Sequence, residues 1–221
     1  MARRLIAGLD AARVAENAVR IREDIAVAAG LAGRDPEGVE LLAAVKYVDL
    51  DELGVLADAG IRLLGENRAQ DLAAKASAYP GAFRWHFIGQ LQSRRVKQII
   101  PHAELIHSLA SESAAEQIGR HGTPETEVLV EVDVAGEQSK AGVWPEDLGA
   151  FLAACPARVT GLMTMPPPTR DPEASRPHFA ALRRLAEEHG LARLSMGTSQ
   201  DYAVAVEEGA TIVRVGSVLF E

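Results

Sequence analysis

Short apolar runs alternate along the chain with longer stretches whose apolar positions fall three or four residues apart. From about Leu9 to Ala29, Val14, Ala18, Ile21, Ile25 and Ala28 recur at helical spacing and Gly30 follows, which predicts an amphipathic helix with a glycine stop. Val39–Asp49 is an apolar run carrying Lys46 near its end, and its composition predicts a strand buried on both faces. Asp49 can then cap a helix with Leu53, Leu56 and Ala57 inward, closed by Gly60. The same alternation continues. Strands are predicted at Ile61–Gly65, Trp85–Gly89, Glu104–Leu109, Glu127–Val134, Val159–Met163, Arg193–Met196 and Thr211–Val215. Helices are predicted between them: Asn67–Ala78, Ser93–Ile100, Glu112–Arg120, one opening at Pro145, about Glu173 to His189, and one bearing Tyr202, Ala205 and Val206.

Regular strand–helix alternation without any hairpin signal most simply closes into a single (β/α)₈ barrel of TIM type, with the first helix as an addition at its N-terminus. The expected organisation is one domain over residues 1–221. An open doubly wound sheet fits less well, because the first strand runs into KYVDLDE where a glycine-rich dinucleotide turn belongs. Only Gly216–Glu221 follows the eighth strand, so the outer ring is expected to lack its last helix and to take its cover from the N-terminal one.

Composition narrows the class. Hydrophobic residues at 48% and charged residues at 24% are ordinary for a globular protein, and a net charge of −8 argues against a nucleic-acid binder that needs a basic face. No apolar stretch approaches the roughly 20 residues of a membrane span, and MARRLIAGLDAARVAEN turns polar too soon for a secretion signal, so a cytoplasmic protein is expected. Cys155, the lone cysteine, permits no internal disulfide and reads as a structural thiol. The histidines and acidic residues show no metal-ligand spacing, so no metal is expected.

In such a barrel, chemistry collects at the C-terminal ends of the strands. Those ends hold Lys46; Glu66 and Asn67; His86; Ser139 and Lys140; Met163 and Thr164; Thr198 and Ser199; and Arg214, Gly216 and Ser217. Removing an ammonium from water costs several kcal/mol, so Lys46 either reaches solvent or is present for its chemistry. Gly197-Thr198-Ser199 before a helix and Gly216-Ser217 beside it offer amides and hydroxyls suited to a phosphate. Arg214 lies inside TIVRVG and needs a buried partner, and His86 in WHFIG reads as a satisfied core histidine. Arg94, Arg95 and Lys97 read as a solvated helix face. A lysine opposite a phosphate cradle suggests a Schiff base to a phosphorylated carbonyl compound, either a sugar phosphate in an aldolase-like enzyme or pyridoxal phosphate.

The motifs LLAAVKYV, LLGENRAQ, WHFIGQLQSRRVK, IHSL, VLVEVDVAGEQSKAGV, GLMTM, LSMGTSQDY and TIVRVGSVLF follow one another over nearly the whole chain. In this order they resemble the pyridoxal phosphate homeostasis proteins, the YggS or PROSC family related to the alanine racemase barrel. The resemblance implies that Lys46 forms the Schiff base with pyridoxal 5'-phosphate and that Asn67 lines the pocket. It further implies that Thr198, Ser199, Gly216 and Ser217 hold the phosphate and that Arg214 faces the pyridine nitrogen. Thr198 stands where the family commonly has methionine. The implied role is a monomeric carrier that buffers the cofactor or delivers it to apo-enzymes, without catalytic turnover. An amino-acid racemase and a Schiff-base aldolase are the alternatives.

Overall fold

The computed structural model of the chain describes residues 5–136 and 141–221. Eight parallel strands close into a barrel in sequence order. They are β1 (Glu40–Ala44), β2 (Leu63–Glu66), β3 (Arg84–Phe87), β4 (Leu105–Leu109), β5 (Glu127–Glu131), β6 (Arg158–Met163), β7 (Arg193–Thr198) and β8 (Ile212–Val215). The helices are α1 (Ala11–Leu31), α2 (Leu53–Asp58), α3 (Ala69–Ala78), α4 (Val96–Ile99), α5 (Glu112–His121), α6 (Leu148–Ala154), α7 (Arg176–Glu188), α8 (Tyr202–Glu207) and α9 (Ser217–Phe220). One helix, α2 through α8, therefore joins each strand to the next, as the alternating pattern predicts.

The barrel separates two apolar layers. Leu42, Leu63, Leu105, Leu129, Met163 and Ile212 pack inside it with Ile88. A larger layer lies between strands and helices, where Phe179, Leu182, Leu72, Ile99 and Ile118 are buried. Side chains on a strand alternate between the two layers, so strands buried on both sides need not show a polar face.

Several element ends differ from the sequence reading, and β5 stops at Glu131 rather than Val134. The run containing Lys46 is a strand only to Ala44, and Lys46 sits in the turn that follows. That turn is closed by Val48 N donating to Val45 O at 3.1 Å. Conversely, β7 continues two residues beyond Met196, because Thr198 still pairs with Arg214 of β8. Finally, residues after the eighth strand form the short helix α9 rather than a bare end. The α1 helix does pack on α8, α9 and α2. Its buried Asn17 amide donates to Leu219 O at 3.2 Å and Glu221 O at 3.0 Å, and Arg13 Nε donates to Glu221 O at 2.8 Å. These bonds satisfy carbonyls that a final helical turn leaves without intrahelical partners.

Candidate functional site

A cavity of about 740 Å³ opens at the C-terminal mouth of the barrel. Lys46, Asn67, Thr198, Ser199, Arg214, Gly216 and Ser217 all line it, so the seven residues singled out above converge on one space. A cavity of several hundred Å³ is of the size that holds a small ligand.

Lys46 is half-buried in the turn after β1. On one side Val45 N donates to Gly65 O at 2.9 Å. On the other the N-terminal segment bridges the turn, with Ile6 N donating to Tyr47 O at 2.6 Å and Asp49 N donating to Ile6 O at 3.1 Å. The amine lies 5.4 Å from the centre of the Tyr47 ring. Asn67 is held from behind by Gly89, where a Cβ would come within 2.0 Å of the Asn67 carbonyl oxygen. Only glycine allows that approach.

On the neighbouring side of the mouth, where β8 pairs with β1, the loops after β7 and β8 join through Gly216 N, which donates to Ser199 Oγ at 3.0 Å. Gly197 adopts φ +89°, and a Cβ there would meet Ala205 Cβ at 2.6 Å, so glycine also sets the turn that brings Thr198 and Ser199 to the cavity. The Thr198 hydroxyl is already engaged. It donates to Asp201 Oδ1 at 3.0 Å, as does the Thr198 amide at 2.7 Å, and Ser175 Oγ donates to Asp201 Oδ2 at 2.8 Å.

Arg214 projects from β8 and is buried. Its guanidinium donates to Ser195 O at 2.9 Å, to the Ser195 hydroxyl, and to Thr164 O at 2.9 Å. Burial pushes its pKa down to about 10, which leaves it cationic at neutral pH, while Glu131 and Asp201 favour the charge. Ser195 Oγ lies 2.8 Å from His107 Nδ1, and His107 Nε2 lies 3.0 Å from His86 Nδ1. Arginine can only donate. The Ser195 hydroxyl therefore accepts from Arg214, and it links the guanidinium through His107 to His86 in one hydrogen-bonded row. Burial holds His86 near 4 and His107 well below its usual range, so both rings are neutral at pH 7. His86 is thus a core histidine, hydrogen-bonded on one nitrogen and unpartnered on Nε2 among the described residues.

The remaining candidates separate. Met163 lines the cavity, whereas Thr164 is buried and donates from Oγ1 to Val132 O at 2.9 Å. Glu66 is fully buried and paired with Lys75 at 2.7 Å. Arg94 and Lys97 are exposed. Ser139 and Lys140 lie outside the described residues. Among the described residues, no group of three or more His, Cys, Asp or Glu is placed to hold a metal, and no helix is long and apolar enough to cross a membrane.

Two residues escape a reading of strand ends. Ser195 lies mid-strand and bears on the site only through its bond to Arg214. Glu131 ends β5 and lines the cavity. The signal was period-two alternation from Leu129, an interior residue. Burial pushes the Glu131 carboxyl up to about 7, with Arg214 opposing the rise and Asp133 adding to it.

No family model matches the chain. The pyridoxal phosphate homeostasis protein of Aquifex aeolicus is 40% identical over 219 residues, 93% of this chain and 96% of that protein. The structure of PipY from Synechococcus elongatus with PLP bound is similar at TM-score 0.78 and 29% identity, covering 94% of this chain and 100% of that one. Alanine racemase from Corynebacterium glutamicum shares the fold at TM-score 0.69 and 16% identity, over 96% of this chain and 60% of that one.

Glu131 generates a prediction about the cofactor-free protein. Its carboxyl titrates near the ordinary 4.5 when unfolded and near 7 when folded. The folded state holds the proton more tightly, so this contribution to stability is present below the unfolded value and is lost as pH rises through the folded one. Glu131→Gln is neutral throughout. Urea unfolding across the pH range should find the variant on the order of 1–3 kcal/mol more stable than wild type above pH 7 and equal to it below about pH 4.5.

Proposed function

The chain belongs to the pyridoxal phosphate homeostasis proteins, and on that premise we propose that Lys46 holds pyridoxal 5'-phosphate as a Schiff base in the barrel-mouth cavity. Pyridoxal phosphate is its cofactor, and its role lies in the homeostasis of that cofactor. The single observation that carries the residue assignment is the placing of Lys46, Arg214 and the Ser199–Gly216 pair around one cavity. The donor set fits the ligand: an amine for the aldehyde, amides and hydroxyls for the phosphate, and a fixed cation for the ring nitrogen.

Each residue has a stated part. Ser199, Gly216 and Ser217 receive the phosphate, with the Ser199 hydroxyl turning from its present bond to Gly216 N. Thr198 supplies its backbone and the shape of the turn more than its hydroxyl, because Asp201 occupies that hydrogen. Asn67 bounds the pocket beside Lys46. Arg214 donates toward the pyridine nitrogen.

The arginine also bears on turnover. Pyridoxal phosphate serves enzymes as an electron sink, and it does so best with a protonated ring nitrogen. A guanidinium that can only donate leaves that nitrogen without a proton. Ser195, His107 and His86 supply no acid for it, since burial keeps both histidines neutral at pH 7. We therefore infer a carrier that buffers the cofactor or passes it to apo-enzymes, with no catalytic cycle on amino acids; that it is a cytoplasmic, one-domain monomer is part of the same proposal and rests on the family resemblance.

Two measurements test this reading. After incubation with pyridoxal phosphate and borohydride reduction, peptide mass mapping should place a pyridoxyl group on Lys46, and Lys46→Ala should lose that adduct; wild-type protein without the adduct would refute the assignment. Incubation with amino acids in deuterated buffer should give no enzyme-dependent exchange of the α-proton, whereas exchange at a rate useful to a racemase would overturn the carrier role.

A further inference from the structure

The α3 helix carries Lys75 where its inward face is otherwise apolar, beside Leu72. Its side chain is 8% exposed and that of Glu66, at the end of β2, is 0% exposed. The two form an ion pair at 2.7 Å. Both groups do more than neutralise each other. Lys75 Nζ also donates to Val45 O at 2.7 Å, the carbonyl immediately before Lys46. The second oxygen of Glu66, Oε1, accepts from Asn67 N at 2.7 Å. One buried pair thus fastens the main chain just before Lys46 and at Asn67, two of the cavity-lining residues from the first half of the barrel.

Burying two opposite charges is not by itself a route to stability, because their desolvation offsets most of their attraction and a well-packed apolar pair often does as well. What the pair supplies here is position. Val45 and Asn67 lie just past the ends of adjacent strands, and Lys75 adds a second bond to the Val45 carbonyl, which also accepts from Val48 N. Lys75 fixes the first from below. Glu66 fixes the second, with Gly89 closing on its other side.

We propose that Lys75 and Glu66 are positioning residues for the cofactor site, Lys75 setting Lys46 through the Val45 carbonyl and Glu66 setting Asn67 through its amide. The proposal rests on Lys46 being the cofactor's attachment point. It assigns a site role to a lysine that never reaches the cavity, and it explains why a charged pair occupies a place that Met and Gln fill equally well in volume.

The test is the double variant Glu66→Gln/Lys75→Met, which removes both charges at nearly constant volume. Cofactor-free, it is expected to unfold within a few degrees of wild type. Its dissociation constant for pyridoxal phosphate should rise at least about tenfold, and the pH titration of the bound cofactor's absorbance should move. A merely structural pair would shift the unfolding midpoint and leave both cofactor readouts unchanged in the folded fraction, and that result overturns the proposal. Should the double variant not fold, Glu66→Gln alone, which keeps the Lys75 bond to Val45, is measured in the same way; about a threefold or greater loss of affinity supports the proposal and no change overturns it. Wild-type protein run alongside separates the two ideas. If it carries no cofactor on Lys46, the attachment reading fails; if it does and the variants bind equally well, only the positioning claim fails.

Discussion

The parallel pairing of β1 with β8 closes the barrel, and the geometry of the mouth follows from it. Glu40 pairs with Ile212, Leu41 with Val213, Leu42 with Arg214 and Ala43 with Val215. Residues about 170 positions apart are thereby brought into one register. That register sets Lys46, two residues beyond β1, beside Gly216 and Ser217, which directly follow β8. It also turns Arg214 inward on the same level as the interior leucines. A slip of one residue would send the guanidinium into the outer apolar layer and every inner residue with it.

An inward arginine imposes a second constraint. The interior of such a barrel is normally filled by layers of branched apolar side chains. Here one layer is polar, with Arg214, Ser195, His107 and His86 in a hydrogen-bonded row crossing from β8 to β3. The row meets the guanidinium's need for acceptors without a carboxylate at bonding distance. Burial keeps both histidines of the row neutral, and the arginine keeps its hydrogens at neutral pH. The site therefore holds a permanent donor that does not give its proton up at neutral pH.

Much of this was legible in the sequence, and the parts that were not share a physical cause. Strand and helix alternation depends on local periodicity, so the eight units and their order could be read directly. Lys46 at a strand end, and glycine with hydroxyls after the last two strands, are compositional signals that survive without knowledge of the fold. Element ends were less legible: β1 stops at Ala44 because the N-terminal segment and β2 capture the next residues, a tertiary event. The small helix α9 depends on Asn17 and Arg13 of α1 reaching its carbonyls. Lys75 reads as an ordinary helix lysine until the fold sets Glu66 and Val45 O within reach. Glu131 fell inside the predicted strand Glu127–Val134, so its place at a strand end was hidden, and its raised affinity for a proton comes from burial, which no local pattern encodes.

The claim at the centre of this account is that the cavity keeps a reactive aldehyde and gives it up intact. The most direct measurement is the rate at which a stoichiometrically loaded sample restores activity to a pyridoxal phosphate-dependent apo-enzyme, compared with free cofactor at matched concentration and in the presence of a scavenging amine. A carrier predicts restoration that resists the scavenger while free cofactor does not. Equal sensitivity of the two sources, with identical kinetics, would contradict protected delivery.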